Sequence, residues 1–232
     1  MSIKEIKNNS RKYLILDLDQ TLLHSYTRNE YEKKKKQINK YDYKKMLGEN
    51  KKTVLYYVVK RPGLDNFIKR MLKKYTILIW TAATQSYGVW IVHNVLPIEI
   101  KKQKVISKLS EGEYHLLLHN DHGNKAQEKM KNNRNKSSKP LEYIYNHPSY
   151  KKYLNKYNTV LIDDASHVEM NQRLNVIKIP EFHVRGTFDN IFIKKNGSNY
   201  IFDKKIEKKL KRLKNDKKNE EKKKKKKNKI NI

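Results

Sequence analysis

Three stretches of this chain are apolar without interruption, and each runs into an oxygen-bearing side chain. "YLILDLDQTLLHS" carries a strand expected over Tyr13–Leu18, with Asp17 and Asp19 at its end. "YTILIW", Tyr75–Trp80, runs into Thr81, and "NTVLID", Asn158–Asp163, ends in the pair Asp163 and Asp164. A strand with one wet face alternates apolar and polar residues. These do not, so each is expected to be buried on both faces, as in a parallel sheet covered by helices. Ligands of such sheets bind beyond the carboxyl ends of the strands. Asp17/Asp19, Thr81 and Asp163/Asp164 are therefore expected to converge at one sheet edge.

The segments between the strands support this class. Arg61-Pro62-Gly63 opens a helix with Pro62 in its first turn, and Leu64, Phe67, Ile68, Met71 and Leu72 fall on one face. A helix is expected from about Thr84 to Val95, closed by Pro97, and a short one over Pro140–His147, stopped by Pro148. Thr53–Val59 and Asn175–Ile179 read as further strands, and Val105–His119 as one or two more. Asn29–Lys52 is charged and poorly periodic, a surface insertion with some helix, and Asn120–Ser138 reads as a polar loop. The fold class is α/β: a mainly parallel central sheet flanked by helices, with a small insertion and a basic C-terminal tail.

From Lys204 the chain is compatible with a helix carrying Ile206, Leu210 and Leu213 on one stripe. After Asn215 it is expected to be disordered, because "EEKKKKKKNKINI" offers too little apolar surface to bury. The expected organisation is an N-terminal extension (1–11), one domain (12–202), and a lysine-rich helix and tail (203–232).

The formal net charge is +30, and residues 203–232 alone hold 16 Lys/Arg against 5 Asp/Glu. Such an excess favours polyanionic partners, among them a phosphorylated protein or, through the lysine tail, non-specific contact with nucleic acid. With no cysteine, a cysteine nucleophile and thiolate metal sites are excluded. No Walker-type glycine loop is present, which argues against an NTP-using kinase. No apolar run approaches a membrane span, and the first residues carry no apolar signal core, so the expectation is an intracellular protein of nucleus or cytoplasm with no membrane partner.

Two acidic pairs and a threonine at neighbouring strand ends make a site for a hard cation, and Mg²⁺ takes oxygen ligands. Asp17 is placed to attack phosphorus. Asp19 is placed to protonate the leaving oxygen and later to deprotonate water. Thr21 and Thr81 have hydroxyls for a phosphate, and a lysine is still needed to offset its charge.

These motifs have a familiar order. "DLDQTLLHS" resembles the first motif, DxDx(T/V), of the haloacid-dehalogenase superfamily, in the form found in FCP/SCP-type phosphatases of the RNA polymerase II C-terminal domain. "VVKRPGLDNFIKRM", "ILIWTAATQSYG", "KPLEYIY" and "NTVLIDDASHVEMNQRLNVIKIPEF" continue the likeness from about Lys12 to about Asp189. The last two are similar to the ubiquitin-like-domain-containing branch, although no such domain is present.

The resemblance implies a HAD-like Rossmannoid fold and a Mg²⁺-dependent phosphoserine/phosphothreonine protein phosphatase. It implies Asp17 as nucleophile, Asp19 as general acid/base, and Thr81 and Lys139 on the phosphate; in a chain this rich in lysine, neighbouring Lys136 is a rival to Lys139. Metal ligation would come from Asp17, the main-chain carbonyl of Asp19 and Asp164. Asp163 would help through water or by pairing with Lys139. Gln20 stands where the family has glutamate. Two other readings stay open: a non-catalytic phosphopeptide or nucleic-acid binding module, and a phosphatase of nucleic-acid ends or small phosphate esters.

Overall fold

The structure, a computed structural model, describes residues 11–103, 117–118, 139–148, 150–169, 171–184, 192 and 201–230. The expected polar loop over Asn120–Ser138 lies outside these residues, as does most of Val105–His119.

Five parallel strands form the central sheet in the order β6-β5-β1-β7-β8. They are β1 (Tyr13–Leu16), β5 (Thr76–Trp80), β6 (Leu117–Leu118), β7 (Thr159–Asp163) and β8 (Val176–Lys178). The apolar runs account for this order. β1, β5 and β7 are buried at every position, and β1 lies between the other two.

Side chains alternate across the sheet. Leu14, Leu16, Ile77, Ile79, Val160 and Ile162 face a large cluster that includes residues of α2 (Leu64–Leu72), α3 (Gln85–Asn94) and α6 (Ile201–Ile230). Tyr13, Ile15, Leu78, Trp80 and Leu161 face a second cluster with α5 (Leu141–Asn146). A short α4 (Ile98–Lys101) follows α3. The parallel α/β class therefore holds.

Two local expectations shift. Pro62 lies before α2 rather than in its first turn. Gly63 is the cap residue, at φ 80°, a left-handed backbone that a β-carbon would strain. Asn29–Lys52 is more than a surface insertion. Thr27 and Glu30 close a reciprocal capping box at the start of α1 (Arg28–Ile38). β2 (Leu23–Tyr26), β4 (Val54–Lys60) and β3 (Tyr43–Leu47) make an antiparallel sheet in the order β2-β4-β3. It has its own aromatic core of Tyr26, Tyr31, Tyr41, Tyr57 and Phe182, with Tyr31 stacked on Tyr57 at 3.7 Å.

The C-terminal helix also differs from expectation. α6 runs on past Asn215 to Ile230. Its first half is anchored by Ile206, Leu210 and Leu213, all buried against the sheet-covering cluster. Arg70 grips Asp203 with two hydrogen bonds, 2.7 and 3.1 Å. Further along, Glu220 accepts hydrogen bonds from Tyr157 and from Lys156 at 3.1 Å. These polar ties, together with the good helix propensity of lysine, act where the apolar stripe has ended. Among the described residues no helix is long and apolar enough to cross a membrane.

Ile206 has no exposed surface, so Ile206→Ala is expected to destabilise the protein by about 2–4 kcal/mol. Urea or thermal unfolding monitored by circular dichroism measures this.

Candidate active site

Parallel register brings the polar strand ends together. Leu16 pairs with Ile79 on β5 and with Ile162 on β7. The residues that follow, Asp17, Thr81 and Asp163–Asp164, therefore emerge side by side at the carboxyl edge of the sheet. The Asp17 amide donates to Ile162 O at 3.0 Å, which extends the β1–β7 ladder to the first acid itself.

Beyond Asp17 the chain turns sharply. Leu22 and Leu23 donate back to Leu18 O, at 2.8 and 3.1 Å. Gln20 takes a left-handed backbone at φ 61°, unusual without glycine. Its carbonyl accepts from Phe182 N at 2.6 Å and from the buried Arg61 at 3.4 Å. The same guanidinium donates to Pro180 O at 2.5 Å and lies 5.3 Å from the Phe182 ring. Arg61 thus braces the turn that carries the acids. Asp65, near the start of α2, accepts from Lys60 at 2.8 Å.

One carboxylate oxygen each from Asp17, Asp163 and Asp164 lies within 4.8 Å of the others, and all three residues are buried. Lys139 joins them from the segment before α5. Its buried ammonium contacts Asp17 Oδ1 and donates to Asp163 Oδ2 at 2.7 Å. Asp163 also accepts from Ala165 N at 2.9 Å, so both its oxygens are engaged. Asp164 is held by Thr21: the hydroxyl donates to Oδ1 at 2.7 Å and accepts from the Asp164 amide at 3.0 Å. Thr21, expected to meet a phosphate, here spends its hydroxyl proton on Asp164 and positions that carboxyl group.

Thr81 is buried at the end of β5, and its hydroxyl oxygen accepts from Ala83 N at 3.1 Å, leaving the hydroxyl proton to donate. Asp19 stands apart from the cluster of three. Tyr87 on α3 donates to its Oδ1 at 2.5 Å, and Ser25 bonds the Tyr87 hydroxyl at 2.6 Å.

Sequence reasoning passed over both Tyr87 and Gln172. Gln172 donates to Lys139 O at 2.9 Å and to Val168 O at 2.7 Å, and accepts from Leu141 N at 2.9 Å. It ties the lysine segment to the loop after β7.

The electrostatics show what the site wants. Burial pushes Asp17 up to about 7; Lys139 pulls the other way, while Asp163 and Asp19 push it further up. Burial likewise raises Asp19, against the Tyr87 hydrogen bond, and raises Asp164, against Thr21. Burial pulls Lys139 down, but Asp17 and Asp163 outweigh it and hold the ammonium charged. Burial and the neighbouring Asp19 raise Tyr87, so its hydroxyl keeps its proton. Four carboxyl groups around one ammonium hold on to protons for want of further positive charge. The donors are all oxygen, so the residues fit a hard dication such as Mg²⁺.

Comparison with known proteins gives the site a family. Residues 12–195 match the model of the family described as NLI interacting factor-like phosphatase. A CTD phosphatase-like protein, 355R of Invertebrate iridescent virus 3, is 24% identical over 177 residues, covering 76% of this chain and 87% of the viral protein. Nuclear envelope morphology protein 1 of Schizosaccharomyces pombe is 36% identical over 78 residues, 34% of this chain and 15% of that protein. Among solved structures, the fission yeast RNA polymerase II CTD phosphatase Fcp1, bound to beryllium fluoride, is similar at 19% identity and a TM-score of 0.48. That match covers 91% of this chain, which spans about half (53%) of the Fcp1 chain. The family match takes in all five motif segments, and the chain belongs to the NLI interacting factor-like phosphatases.

Proposed function

We propose that the protein is a Mg²⁺-dependent phosphoserine/phosphothreonine protein phosphatase that works through an aspartyl-phosphate at Asp17. The single observation that carries this reading is the placement of a buried Asp17 against Lys139 and the Asp163/Asp164 pair, with Asp19 one residue beyond it. The substrate we infer is a disordered phosphopeptide like the polymerase C-terminal domain. The names of the relatives and the +30 charge both favour an acidic peptide of that kind.

In the first step a carboxylate oxygen of Asp17 attacks phosphorus. The bond from phosphorus to the ester oxygen breaks, and Asp19 gives its proton to that leaving oxygen. In the second step Asp19, now a carboxylate, takes a proton from water. The water oxygen bonds to phosphorus, the bond from phosphorus to Asp17 breaks, and inorganic phosphate leaves. Lys139 faces the charge that develops on the phosphoryl group, and the Thr81 hydroxyl is free to donate to it. Mg²⁺, held by the carboxylates of Asp17 and Asp164 and the Asp19 main-chain carbonyl, would neutralise phosphate charge. Thr21 holds Asp164 in place for that purpose, and Asp163 holds Lys139.

A panel of phosphoserine peptides, an aryl phosphate and a 3′-phosphorylated oligonucleotide tests the reading. Phosphate release from the peptides is expected with Mg²⁺ and lost in EDTA. Release that survives EDTA, or that comes only from the oligonucleotide, contradicts it.

The raised Asp17 gives a pH prediction. Its folded value, about 7, lies above the ordinary 3.8. The metal-free folded state therefore binds an extra proton, and stability from this group falls as pH rises from about 4 to about 7. A cation that keeps Asp17 ionised must displace that proton. The gain in Tm on adding Mg²⁺ is therefore expected to be larger at pH 8 than at pH 5, and Asp164→Asn is expected to shrink it.

A further inference from the structure

Tyr87 has no part in the two steps above, yet its hydroxyl sits on Asp19. It lies in the first turn of α3, where its amide donates to the cap residue Thr84 at 3.5 Å. Its ring is buried and meets Tyr56 edge-on, with centroids 5.8 Å apart. The hydroxyl is thereby delivered by a fixed ring on a capped helix.

A phenol has one proton. Tyr87 gives it to Asp19 Oδ1 at 2.5 Å. The 2.6 Å bond between Ser25 Oγ and the Tyr87 hydroxyl must then run from Ser25 to the phenol oxygen. The relay has one direction, Ser25 to Tyr87 to Asp19. It occupies one carboxyl oxygen of Asp19 and leaves the other to carry the acid proton.

We propose that Tyr87 is a positioning residue that turns the acid proton of Asp19 toward the leaving oxygen and so adapts the site to phosphate esters of aliphatic alcohols. This rests on the phosphatase reading. An aliphatic alkoxide does not leave without a proton, whereas a nitrophenolate does. When Asp19 releases its proton, negative charge grows on its carboxyl group, and a donor already in place on Oδ1 stabilises that charge without reorganising.

The test is kcat/KM, which reports the steps up to phosphoryl transfer, across a series of leaving groups. Nitrophenyl phosphate, phenyl phosphate and a phosphoserine peptide are compared in the wild type, Tyr87→Phe, Ser25→Ala, Asp19→Asn and the double variant Asp19→Asn/Tyr87→Phe. Phenylalanine keeps the ring and its packing. Tyr87→Phe is expected to lose roughly 10- to 100-fold on phosphoserine, within the range of general acid catalysis, and no more than about 3-fold on nitrophenyl phosphate. Ser25→Ala is expected to shift the ratio the same way by less. In the Asp19→Asn background Tyr87→Phe is expected to add nothing. An equal loss on every ester, no loss at all, or a further loss on top of Asp19→Asn overturns the proposal. A wild-type protein that hydrolyses none of the esters in Mg²⁺ refutes the phosphatase reading itself. An active wild type whose ester ratio Tyr87→Phe leaves unchanged refutes only the role of Tyr87.

Discussion

Asp17→Asn is expected to cut phosphate release from a phosphopeptide by about 1,000-fold or more in saturating Mg²⁺, because an amide cannot form the covalent intermediate. The loss should fall on kcat. Folding should survive, for a reason visible in the site. Asp17 is a buried acid whose proton affinity is raised chiefly by burial, so the folded state holds its charge at a cost. Asparagine removes that charge, and Lys139 keeps its 2.7 Å bond to Asp163. In EDTA the variant is therefore expected to melt at or above the wild-type temperature. Initial rates and a thermal scan on one preparation separate the catalytic effect from any folding defect.

Lys139→Met is expected to do the opposite to stability while also disabling the enzyme. The ammonium is buried and sits against both Asp17 and Asp163. Removing it leaves buried carboxylates facing one another, and breaking a buried pair in this way costs about 3–5 kcal/mol. Catalysis should fall by roughly 100-fold or more, the scale of losing one preorganised charge-stabilising group. Mg²⁺ should recover part of the lost stability, since a cation among Asp17, Asp163 and Asp164 answers the same repulsion, but not the activity. Tm in EDTA and in Mg²⁺, set beside kcat, checks both halves. A Lys139→Met protein as stable as wild type in EDTA would mean that this lysine does not neutralise the acids.

Much of the site could be read from the chain because the information is local. An apolar run that fails to alternate, followed at once by acid, specifies a buried parallel strand with a carboxylate at its tip. Three such runs place Asp17, Thr81 and Asp163/Asp164 at one edge before any contact is known. Thr84 and Pro97 likewise bracket α3, which caps on Thr84 and ends at Asn94.

The features that the sequence does not display depend on long-range contacts or on a capping signal next to a lysine run. The Tyr87 hydroxyl meets Asp19 across 68 positions, and Thr21 meets Asp164 across 143. No periodicity in the sequence reports such pairs. Gln172 reads as an ordinary loop residue until the lysine segment folds against it. The helix at Arg28 was available locally, because Thr27-Arg28-Asn29-Glu30 has the spacing of a capping box, but the lysine run after it hid the buried Tyr31 and Ile38. The length of α6 turned on Glu220, whose partners Lys156 and Tyr157 lie over 60 positions away.

The most direct test of the convergent site is to catch the phosphoryl group on the chain. The protein is mixed with a phosphoserine peptide and Mg²⁺, quenched in acid during turnover, reduced with borohydride and digested for mass spectrometry. Reduction of an aspartyl-phosphate leaves homoserine. Homoserine at position 17, present with substrate and absent when EDTA is added first, is the predicted result. Steady phosphate release with position 17 unmodified, or with the mark on Asp19, Asp163 or Asp164 instead, would contradict the assignment of Asp17 as the nucleophile.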